Sequence, residues 1–519
     1  MDLLLHILVF CSSVLALAAA KILYNVHFHP AAAYPGPLLA RATRLYYMYY
    51  RMSGRLEFKI KELHDRYGRV VRVAPDELSY NGGTAWDDIY GLRSKRRQGP
   101  NLAKDPHFYM GAEAPNGQKN LGAANDADHS RIRSVLSHAF SDRAIQNQHA
   151  TIKEHVDRLI ARLRETEGIA TDAVRWMHHL TYDVIVHLAL GQRARSLDCD
   201  GWHPQARAVF EGIREGVCLI EVLRLMPAKR LVLKLLLLLF GRARRRNFEA
   251  SVAKATLRME ADAGDERDFM SYILRANETG REMTASEITT NSALFIDAGS
   301  ETTASMLSGC LFYLLKNPAS LEKLTTTIRN TYAAEDDMTP TSLAQIPYVN
   351  AVIDESLRMF MPVPASLPRV TPAPDVVSTP PTPAQVCGER VPAGIIVGVN
   401  QYAAYRSADN FKQPYSFVPE RWLGDERFAD DNRAVVQPFS TGPRNCIGKN
   451  LARAEIRLAL ARIVWTFDLE LMPECRNWHD EMKTWFVWYK SNLQISFKPR
   501  DGGHLRAGAG SAQPSLACS

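Results

Sequence analysis

Apolar residues recur with helical spacing along most of the chain, whereas short β-branched runs are found at only a few places. One apolar stripe with the spacing of a single helix face consists of Ile152, Val156, Leu159, Ile160 and Leu163. The segments Arg69–Val73 and Ile395–Val397 are short and rich in valine and isoleucine, as strands are. This pattern predicts a fold that is mainly α with small β-sheets.

The N-terminal segment Leu3–Leu23 is almost wholly apolar, and about 20 apolar residues are enough to cross a bilayer as a helix. A cleaved secretory signal is the alternative, with Ala18-Ala19-Ala20 as its cleavage site. However, Asp2 precedes the segment, while lysines and arginines follow it. This charge bias favours an uncleaved anchor whose C-terminal side faces the cytosol.

The chain beyond this segment shows no Gly/Ser linker and no shift in composition. His29-Pro30 and Tyr34-Pro35-Gly36-Pro37 predict a stiff, extended exit from the membrane, because proline cannot continue a helix. We therefore divide the chain into an N-terminal membrane anchor (1–23), a proline-rich hinge (24–40), one large domain (41–500) and a small, polar, disordered tail (501–519).

The segment Leu231–Phe240 is strongly apolar but too short to span a bilayer, and arginines follow it up to Arg246. It fits a buried core helix with a solvated basic end. It fits equally a surface helix that enters the bilayer with its arginines at lipid phosphates. Its length and composition leave both interpretations open.

A long helix is predicted from Thr284 to Lys316, because Thr284-x-x-Glu287 forms a capping box and Asn317-Pro318 ends the pattern. Its middle reads Ala298-Gly299-Ser300-Glu301-Thr302-Thr303. Gly299 costs about 1 kcal/mol of helix propensity, which calls for a compensating role. Either the helix opens locally there to admit a small ligand or water, or Gly299 is a packing glycine where helices cross.

Glu355 and Arg358 stand three residues apart on one predicted helix face, and Met361-Pro362 ends that helix. Such pairs are common on surfaces and contribute little there. The later segment Phe417–Trp422 supplies Arg421, and a second arginine would complete a buried, fully paired triad.

The balance of charge is mildly basic, with 63 lysines and arginines against 56 acids and a formal net charge of +7. That surplus suits an anionic membrane surface or an acidic partner protein. The chain shows no basic stripe with interleaved aromatic residues, so the charge does not indicate nucleic-acid binding. The 8 cysteines are scattered without a CxxC, which argues against a disulfide framework or a zinc ribbon and fits the reducing, cytosolic side of a membrane.

The segment Phe439–Gly448 (FSTGPRNCIG) places Cys446 in a turn just before an apolar helix pattern. We expect a thiol flanked by backbone N–H groups and a helix N-terminus to ionise easily. Such a thiolate is either a metal ligand or a nucleophile, whereas an isolated free cysteine is usually an inert core residue.

Four motifs now stand in a fixed order: A-G-x-E-T-T on a long helix, E-x-x-R, P-E-R-W, and F-x-x-G-x-R-x-C-x-G. Together they resemble the cytochrome P450 family of haem-thiolate monooxygenases, from the anchor to about Lys498. The segments from Leu45 to Tyr80 and from Asp128 to Ser141 look like filamentous-fungal microsomal members, including the isotrichodermin C-15 hydroxylase-like group. The resemblance implies the cytochrome P450 fold behind one transmembrane helix, with haem b as cofactor.

The resemblance also assigns roles to individual residues. Cys446 is implied to be the thiolate ligand of the haem iron, and Glu301 and Thr302 the acid and alcohol that deliver protons during O2 activation. A further group is implied to bind or pack against the haem: Arg444, His129, Arg133 and Arg369 at the propionates, with Phe439, Gly442 and Gly448 beside it. A structural triad behind the haem is implied for Glu355, Arg358 and Arg421.

A protein of this kind inserts one oxygen atom from O2 into a hydrophobic small molecule, by hydroxylation or epoxidation. The fungal resemblance suggests a terpenoid or polyketide intermediate of secondary metabolism. The chain has no strand–GxGxxG–helix unit for a flavin or nicotinamide, so the resemblance implies NADPH–cytochrome P450 reductase as a separate electron donor and cytochrome b5 as a second candidate. We expect a single-pass protein of the endoplasmic reticulum membrane whose catalytic domain faces the cytosol.

Two alternative functions remain at this stage. A haem-thiolate isomerase or dehydratase would keep Cys446 but insert no oxygen, although the Glu301–Thr302 pair favours a monooxygenase. A non-catalytic, membrane-anchored binder of lipophiles or haem would lack thiolate ligation altogether.

Overall fold

The computed structural model describes residues 2–92, 101–110, 113–226, 231–232, 235, 242–261, 268–280, 282–372 and 384–500. The predicted tail 501–519 lies outside these residues. So does most of the apolar segment 231–240, and the two interpretations of that segment therefore stay open.

Helices make up most of the described chain, as the apolar periodicity predicts. They are α1 (Asp2–Leu23), α2 (Leu38–Ala42), α3 (Leu45–Met52), α4 (Leu56–Tyr67), α5 (Thr84–Tyr90), α6 (Pro106–Tyr109), α7 (Asp126–Leu136), α8 (Asp142–Arg164), α9 (Ala173–Leu190), α10 (Pro204–Arg224), α11 (Arg242–Glu260), α12 (Phe269–Glu278), α13 (Ala285–Lys316), α14 (Pro318–Thr331), α15 (Pro340–Ala344), α16 (Pro347–Met359), α17 (Gln401–Tyr405) and α18 (Lys449–Thr466).

The strands are short. They are β1 (Val70–Ala74), β2 (Glu77–Tyr80), β3 (Ala103–Lys104), β4 (Thr171–Asp172), β5 (Arg369–Val370), β6 (Ala384–Val386), β7 (Glu389–Val391), β8 (Ile396–Val399), β9 (Phe467–Leu471), β10 (Lys483–Trp485), β11 (Val487–Tyr489) and β12 (Gln494–Pro499). The two predicted strands correspond to β1 and β8. A mainly helical fold with small sheets is thereby confirmed.

Helix α1 and the π-helical turn Tyr24–Phe28 that extends it form the N-terminal apolar segment. Among the described residues this segment, Leu3–Phe28, is the one helix long and apolar enough to cross a bilayer, with a mean hydropathy of 2.4 over an 18-residue window. The helical backbone ends at His29, which is extended (ψ 141°). A residue before proline avoids the helical region, so Pro30 accounts for this end.

The described residues form two compact units. The described residues of the first unit lie within the ranges 1–108, 363–415 and 430–445, and those of the second within 109–362, 416–429 and 446–519. Two of the five boundaries fall within α6 and between Asn445 and Cys446, near the C-terminal end of the Cys446 motif.

The first unit contains a five-stranded sheet in the order β1-β2-β8-β5-β3. The pairing of β2 with β8 is parallel and the other pairings are antiparallel. Side chains from α3, α4, β1 and α17 pack into one apolar core: Tyr47, Leu56, Ile60, Leu63, Val71, Val73, Ala74 and Ala403. A separate hairpin joins β6 to β7.

The second unit is built around α13, which packs along α9 and also contacts α11, α16 and α18. Thr284 caps α13, because its side chain accepts from the Glu287 N–H while the Glu287 carboxylate accepts from the Thr284 N–H. Both halves of the predicted capping box are therefore present. The apolar stripe of α8, from Ile152 to Leu163, is fully buried as predicted. The sheet β4-β12-β9 and the hairpin β10-β11 complete this unit.

Candidate functional site

Cys446 lies immediately before α18, whose N-terminal cap is Gly448. The backbone N–H of Gly448 donates to the sulfur. The thiol is accessible to solvent, yet desolvation is the largest influence on its pKa. The sulfur can therefore be reached from outside the chain, although protein atoms closely surround it.

The expectation that the Cys446 thiol ionises easily is wrong for the protein chain alone. Burial raises its pKa, and the Gly448 N–H, Arg133 and Lys449 only partly oppose that rise. Desolvation disfavours the thiolate more than these donors and cations favour it. A coordinated metal ion deprotonates a thiol outright, so a metal would supply the stabilisation that the turn does not.

Helix α7 carries two of the predicted propionate partners. Its N-cap is Asn125, whose side chain accepts from the Asp128 N–H. His129 is buried and Arg133 is half-buried. Burial lowers the pKa of the Arg133 guanidinium, and Cys446 raises it. Arg133 and Cys446 therefore interact electrostatically, and a cation beside the sulfur is what a thiolate ligand needs.

Four further predicted haem residues belong to the first unit: Phe439, Gly442, Arg444 and Arg369. Gly442 has φ +76°, and a Cβ there would overlap the carbonyl oxygen of Tyr90. Only glycine fits this close approach of two backbones. Arg369 in β5 is buried, with its guanidinium 5.2 Å from the centre of the Tyr90 ring. Tyr90 thus contacts both the Gly442 turn and Arg369.

Glu355, Arg358 and Arg421 meet in the interior of the second unit, and all three are fully buried. Arg358 donates two hydrogen bonds to the Glu355 carboxylate, from Nε to Oε2 at 2.9 Å and from Nη2 to Oε1 at 2.8 Å. Nε of Arg421 donates to Oε1 at 3.1 Å. The structure therefore brings together the three residues that were predicted to form the triad.

The Glu355 carboxylate has two further donors that were not singled out from the sequence. The backbone N–H of Val418 donates to Oε1 at 2.8 Å, and the indole N–H of Trp422 donates to Oε2 at 2.9 Å. Burial by itself raises the pKa of Glu355, but Arg358, Arg421 and the Val418 N–H outweigh it and lower the pKa. Glu355 is thus a buried anion stabilised entirely by protein groups.

Helix α13 runs without interruption through the Ala298–Thr303 segment. A Cβ on Gly299 would lie 2.8 Å from side-chain atoms of Ile185 on α9. Gly299 is therefore a packing glycine where α13 and α9 cross, and the local opening of the helix predicted from it is not seen. Thr302 is half-buried, and its hydroxyl donates to the Ala298 carbonyl at 2.7 Å.

Glu301 is buried, at 1% exposure. Lys490 forms an ion pair with its Oε1, and Ser305 Oγ donates to the same oxygen at 3.0 Å. Nε2 of His178 lies 3.2 Å from Oε2. The sequence analysis missed all three of these residues. Nothing in the local pattern links Lys490 to a residue 189 positions earlier, whereas Ser305, four residues after Glu301 on the same helix face, could have been found from its spacing.

A model of the cytochrome P450 family matches residues 35–497 of the chain. The chain is 53% identical over 480 residues to the fusicoccadiene 8-ol C-16 hydroxylase of Alternaria brassicicola, covering 92% of this chain and 95% of that protein. It is 51% identical over 492 residues to the fusicoccadiene 8-ol C-16-hydroxylase of Phomopsis amygdali, covering 94% and 92%. The crystal structure of the cytochrome P450DA heme domain superposes with a TM-score of 0.73 at 19% identity, over 90% of this chain and 97% of that one.

The family model and the two relatives show the class of protein, which is a haem-thiolate oxidoreductase. The chain belongs to the cytochrome P450 family. Its relatives are cytochrome P450 monooxygenases of fungi, its cofactor is haem with iron, and the apolar α1 is a candidate membrane anchor. Monooxygenases of this family take electrons from a redox partner and oxidise a hydrophobic substrate with O2.

Proposed function

We propose that this protein hydroxylates a cyclic terpenoid alcohol of the fusicoccadiene 8-ol type in fungal secondary metabolism. Similarity to two hydroxylases named for that substrate, each covering more than nine-tenths of this chain, supports the substrate class. The reaction joins one atom of O2 to a C–H carbon, consumes two electrons and two protons, and releases the second atom as water.

The observation that carries the chemistry is Cys446, a solvent-accessible thiol directly before α18 with the Arg133 cation interacting with it. We propose that Cys446 would hold the haem iron through its thiolate, and that His129, Arg133, Arg369 and Arg444 would bind the propionates. Phe439, Gly442 and Gly448 would shape the protein beside the haem. When bound, the haem activates O2, and the thiolate donates electron density that favours O–O cleavage.

The proton chemistry is proposed for Glu301 and Thr302 on α13. The Thr302 hydroxyl donates its hydrogen to the Ala298 carbonyl, which leaves its oxygen able to accept a hydrogen bond. An ordered water there would be held by Thr302 and would exchange protons with the chain through Glu301.

The source of electrons is proposed to be a separate NADPH–cytochrome P450 reductase, with cytochrome b5 as a second donor. The anchor (1–23), hinge (24–40), domain (41–500) and tail (501–519) are proposed as the functional division of the chain. The apolar α1 and the basic residues after it support a single-pass protein of the endoplasmic reticulum with a cytosolic catalytic domain.

The test is turnover in microsomes that contain the protein and a reductase, supplied with NADPH, fusicoccadiene 8-ol and isotopically labelled O2. One labelled oxygen atom per product molecule is expected, with none formed when NADPH or the reductase is omitted. A product without label would instead fit a haem-thiolate isomerase or dehydratase. The Cys446→Ser variant in the same membranes is the matched control for non-enzymatic oxidation.

A further inference from the structure

The acid of the Glu301–Thr302 pair is held by groups that lie outside its own sequence motif. Lys490, between β11 and β12, pairs with Oε1 of Glu301. Its ammonium also donates to Ser305 Oγ at 2.8 Å, and Ser305 in turn donates to the same Glu301 oxygen at 3.0 Å. These three groups close a ring of hydrogen bonds around a single carboxylate oxygen.

The ring is fully enclosed by protein, since the side chains of Lys490 and Glu301 are 0% and 1% exposed. An isolated buried charge is strongly disfavoured, so each of these two residues depends on the other for its charge. Burial raises the pKa of Glu301, and Lys490 is the first influence that opposes the rise. Burial likewise lowers the pKa of Lys490, and Glu301 opposes that fall.

His178 on α9 faces the other carboxylate oxygen, at 3.2 Å. Burial, Lys490 and His179 all lower the pKa of His178 well below its usual range, so its ring is neutral and supplies no counter-charge. Of the described side chains that contact Glu301, Lys490 is therefore the one that carries a positive charge.

We propose that Lys490 is a positioning residue for proton delivery, which keeps Glu301 ionised and fixes the position of its carboxylate on α13, one residue before Thr302. The proposal deepens the proposed function, because it rests on Glu301 taking part in proton delivery during O2 activation. Its chemical reason is that a relay group must be able to take up a proton before it can pass one on. A Glu301 held permanently protonated by its surroundings would lose that capacity, and a pKa close to the working pH serves the relay best.

The first test does not depend on turnover. Infrared spectra of the haem-loaded, substrate-free protein are compared between the wild type, Lys490→Met and the double variant Lys490→Met/Glu301→Gln. Lys490→Met should show one protonated carboxylic acid band in addition to those of the wild type, and this additional band should disappear in the double variant. The matched control is Lys498→Met, which removes an exposed ion pair to Glu470 on the same C-terminal segment and should leave the spectrum unchanged.

The second test measures product formed per NADPH consumed, together with hydrogen peroxide release. Lys490→Met should lower this ratio on the order of tenfold, Lys490→Arg should largely restore it, and Lys498→Met should not alter it. In the Glu301→Gln background, Lys490→Met should have no further effect, because Lys490 acts through Glu301.

Several results would overturn the proposal. One is an identical carboxylic acid band in the wild type and Lys490→Met. Another is an equal loss of the ratio from Lys490→Met whether or not Glu301 is present. If Lys490→Met and its double variant with Glu301→Gln both fail to bind haem, Lys490 is structural and the proposal also fails. Failure of the substrate assignment would leave the infrared result intact, so the two failures are distinguishable.

Discussion

The indole N–H of Trp422 donates to Oε2 of Glu355 at 2.9 Å, on a carboxylate that Arg358 and Arg421 already neutralise. Because Trp422 and Arg421 belong to the single 3-10 turn Pro419–Trp422, this one carboxylate fixes that turn to helix α16. The Ser416 carbonyl accepts a hydrogen bond from Arg358 Nη2 at 2.9 Å, which also joins the residues just before this turn to α16. The Glu355 cluster therefore organises the backbone between residues 416 and 422.

Replacement of Glu355 by alanine should abolish the folded, haem-loaded protein. It would leave Arg358 and Arg421 buried without a counter-charge, and removing one partner of such a network costs about 3–5 kcal/mol. The measurement is the haem-to-protein ratio of the purified protein, with the fraction recovered as aggregate. Full haem occupancy in Glu355→Ala would contradict a structural role for the cluster.

The milder change Trp422→Phe removes one hydrogen bond to Glu355 and leaves the charges of Glu355, Arg358 and Arg421 unchanged. The ring volume is largely kept while the donor to Glu355 is lost, and a hydrogen bond to a charged group contributes about 1.5–3 kcal/mol. We expect a protein that folds and retains haem but unfolds at a lower denaturant concentration. An unchanged unfolding midpoint would show that the indole N–H does not stabilise the carboxylate.

Replacement of Cys446 by serine should abolish the red-shifted Soret band of the reduced, CO-bound protein, because that band requires thiolate ligation. The control is Cys387→Ser, which removes another solvent-accessible thiol, in the hairpin between β6 and β7, and should keep the band. Survival of the band in Cys446→Ser would refute the ligand assignment. Its absence in the wild type would favour a non-catalytic binder.

Two glycines of the cysteine motif should respond differently to alanine. A Cβ at Gly442 would overlap the Tyr90 carbonyl in a backbone with φ +76°, whereas a Cβ at Gly448 would make only an ordinary contact with Cys446 Sγ at 4.0 Å. Gly442→Ala should therefore lower stability by about 1–3 kcal/mol, from strain at positive φ. Gly448→Ala should change it by much less. Unfolding midpoints compare the two variants, and equal midpoints would argue against the close approach to Tyr90.

Whether a contact in this structure could be predicted from the sequence depends on how far apart its two residues stand along the chain. The capping box at Thr284, the stripe of α8 and the Glu355–Arg358 pair are local, with partners three or four residues apart, and all three are present in the structure. Arg421 was suggested as a third member from the Phe417–Trp422 segment, and the resemblance then assigned it to the triad. By contrast, Lys490 reaches Glu301 across 189 positions, and Ile185 explains Gly299 only once α9 and α13 are packed.

The pKa of Cys446 shows a second limit. The turn and its glycines suggest an easily ionised thiol, but the balance between burial and nearby donors depends on how much protein surrounds the sulfur. That quantity is a property of the packed fold and has no signature in a ten-residue motif.

The contact of Gly299 with Ile185 predicts a compensating pair of changes. Gly299→Ala should destabilise the protein by about 1–3 kcal/mol, because its Cβ would lie 2.8 Å from Ile185 atoms in a packed core. Ile185→Ala, which removes those atoms, creates a cavity that the new methyl group partly fills. The double variant should therefore lose less stability than the sum of the single variants. Strict additivity in denaturant unfolding would show that Gly299 serves another purpose.

His64 in the first unit should make stability depend on pH. The ring is buried, with Nδ1 2.8 Å from the Gly68 carbonyl and Nε2 2.8 Å from Ser79 Oγ, and burial lowers its pKa from 6.5 to about 4. Above pH 6.5 the ring is neutral in both the folded and the unfolded chain, so it contributes no pH dependence there. As the pH falls from 6.5 toward 4, the unfolded chain binds a proton that the folded chain does not. The free energy of unfolding should therefore fall by up to about 3 kcal/mol.

The His64→Gln variant should show a flatter loss of stability over this pH window in chemical unfolding of the detergent-solubilised protein. The control His138→Gln, at an exposed side chain, should keep the wild-type slope, and equal slopes for His64→Gln and the wild type would contradict the assignment.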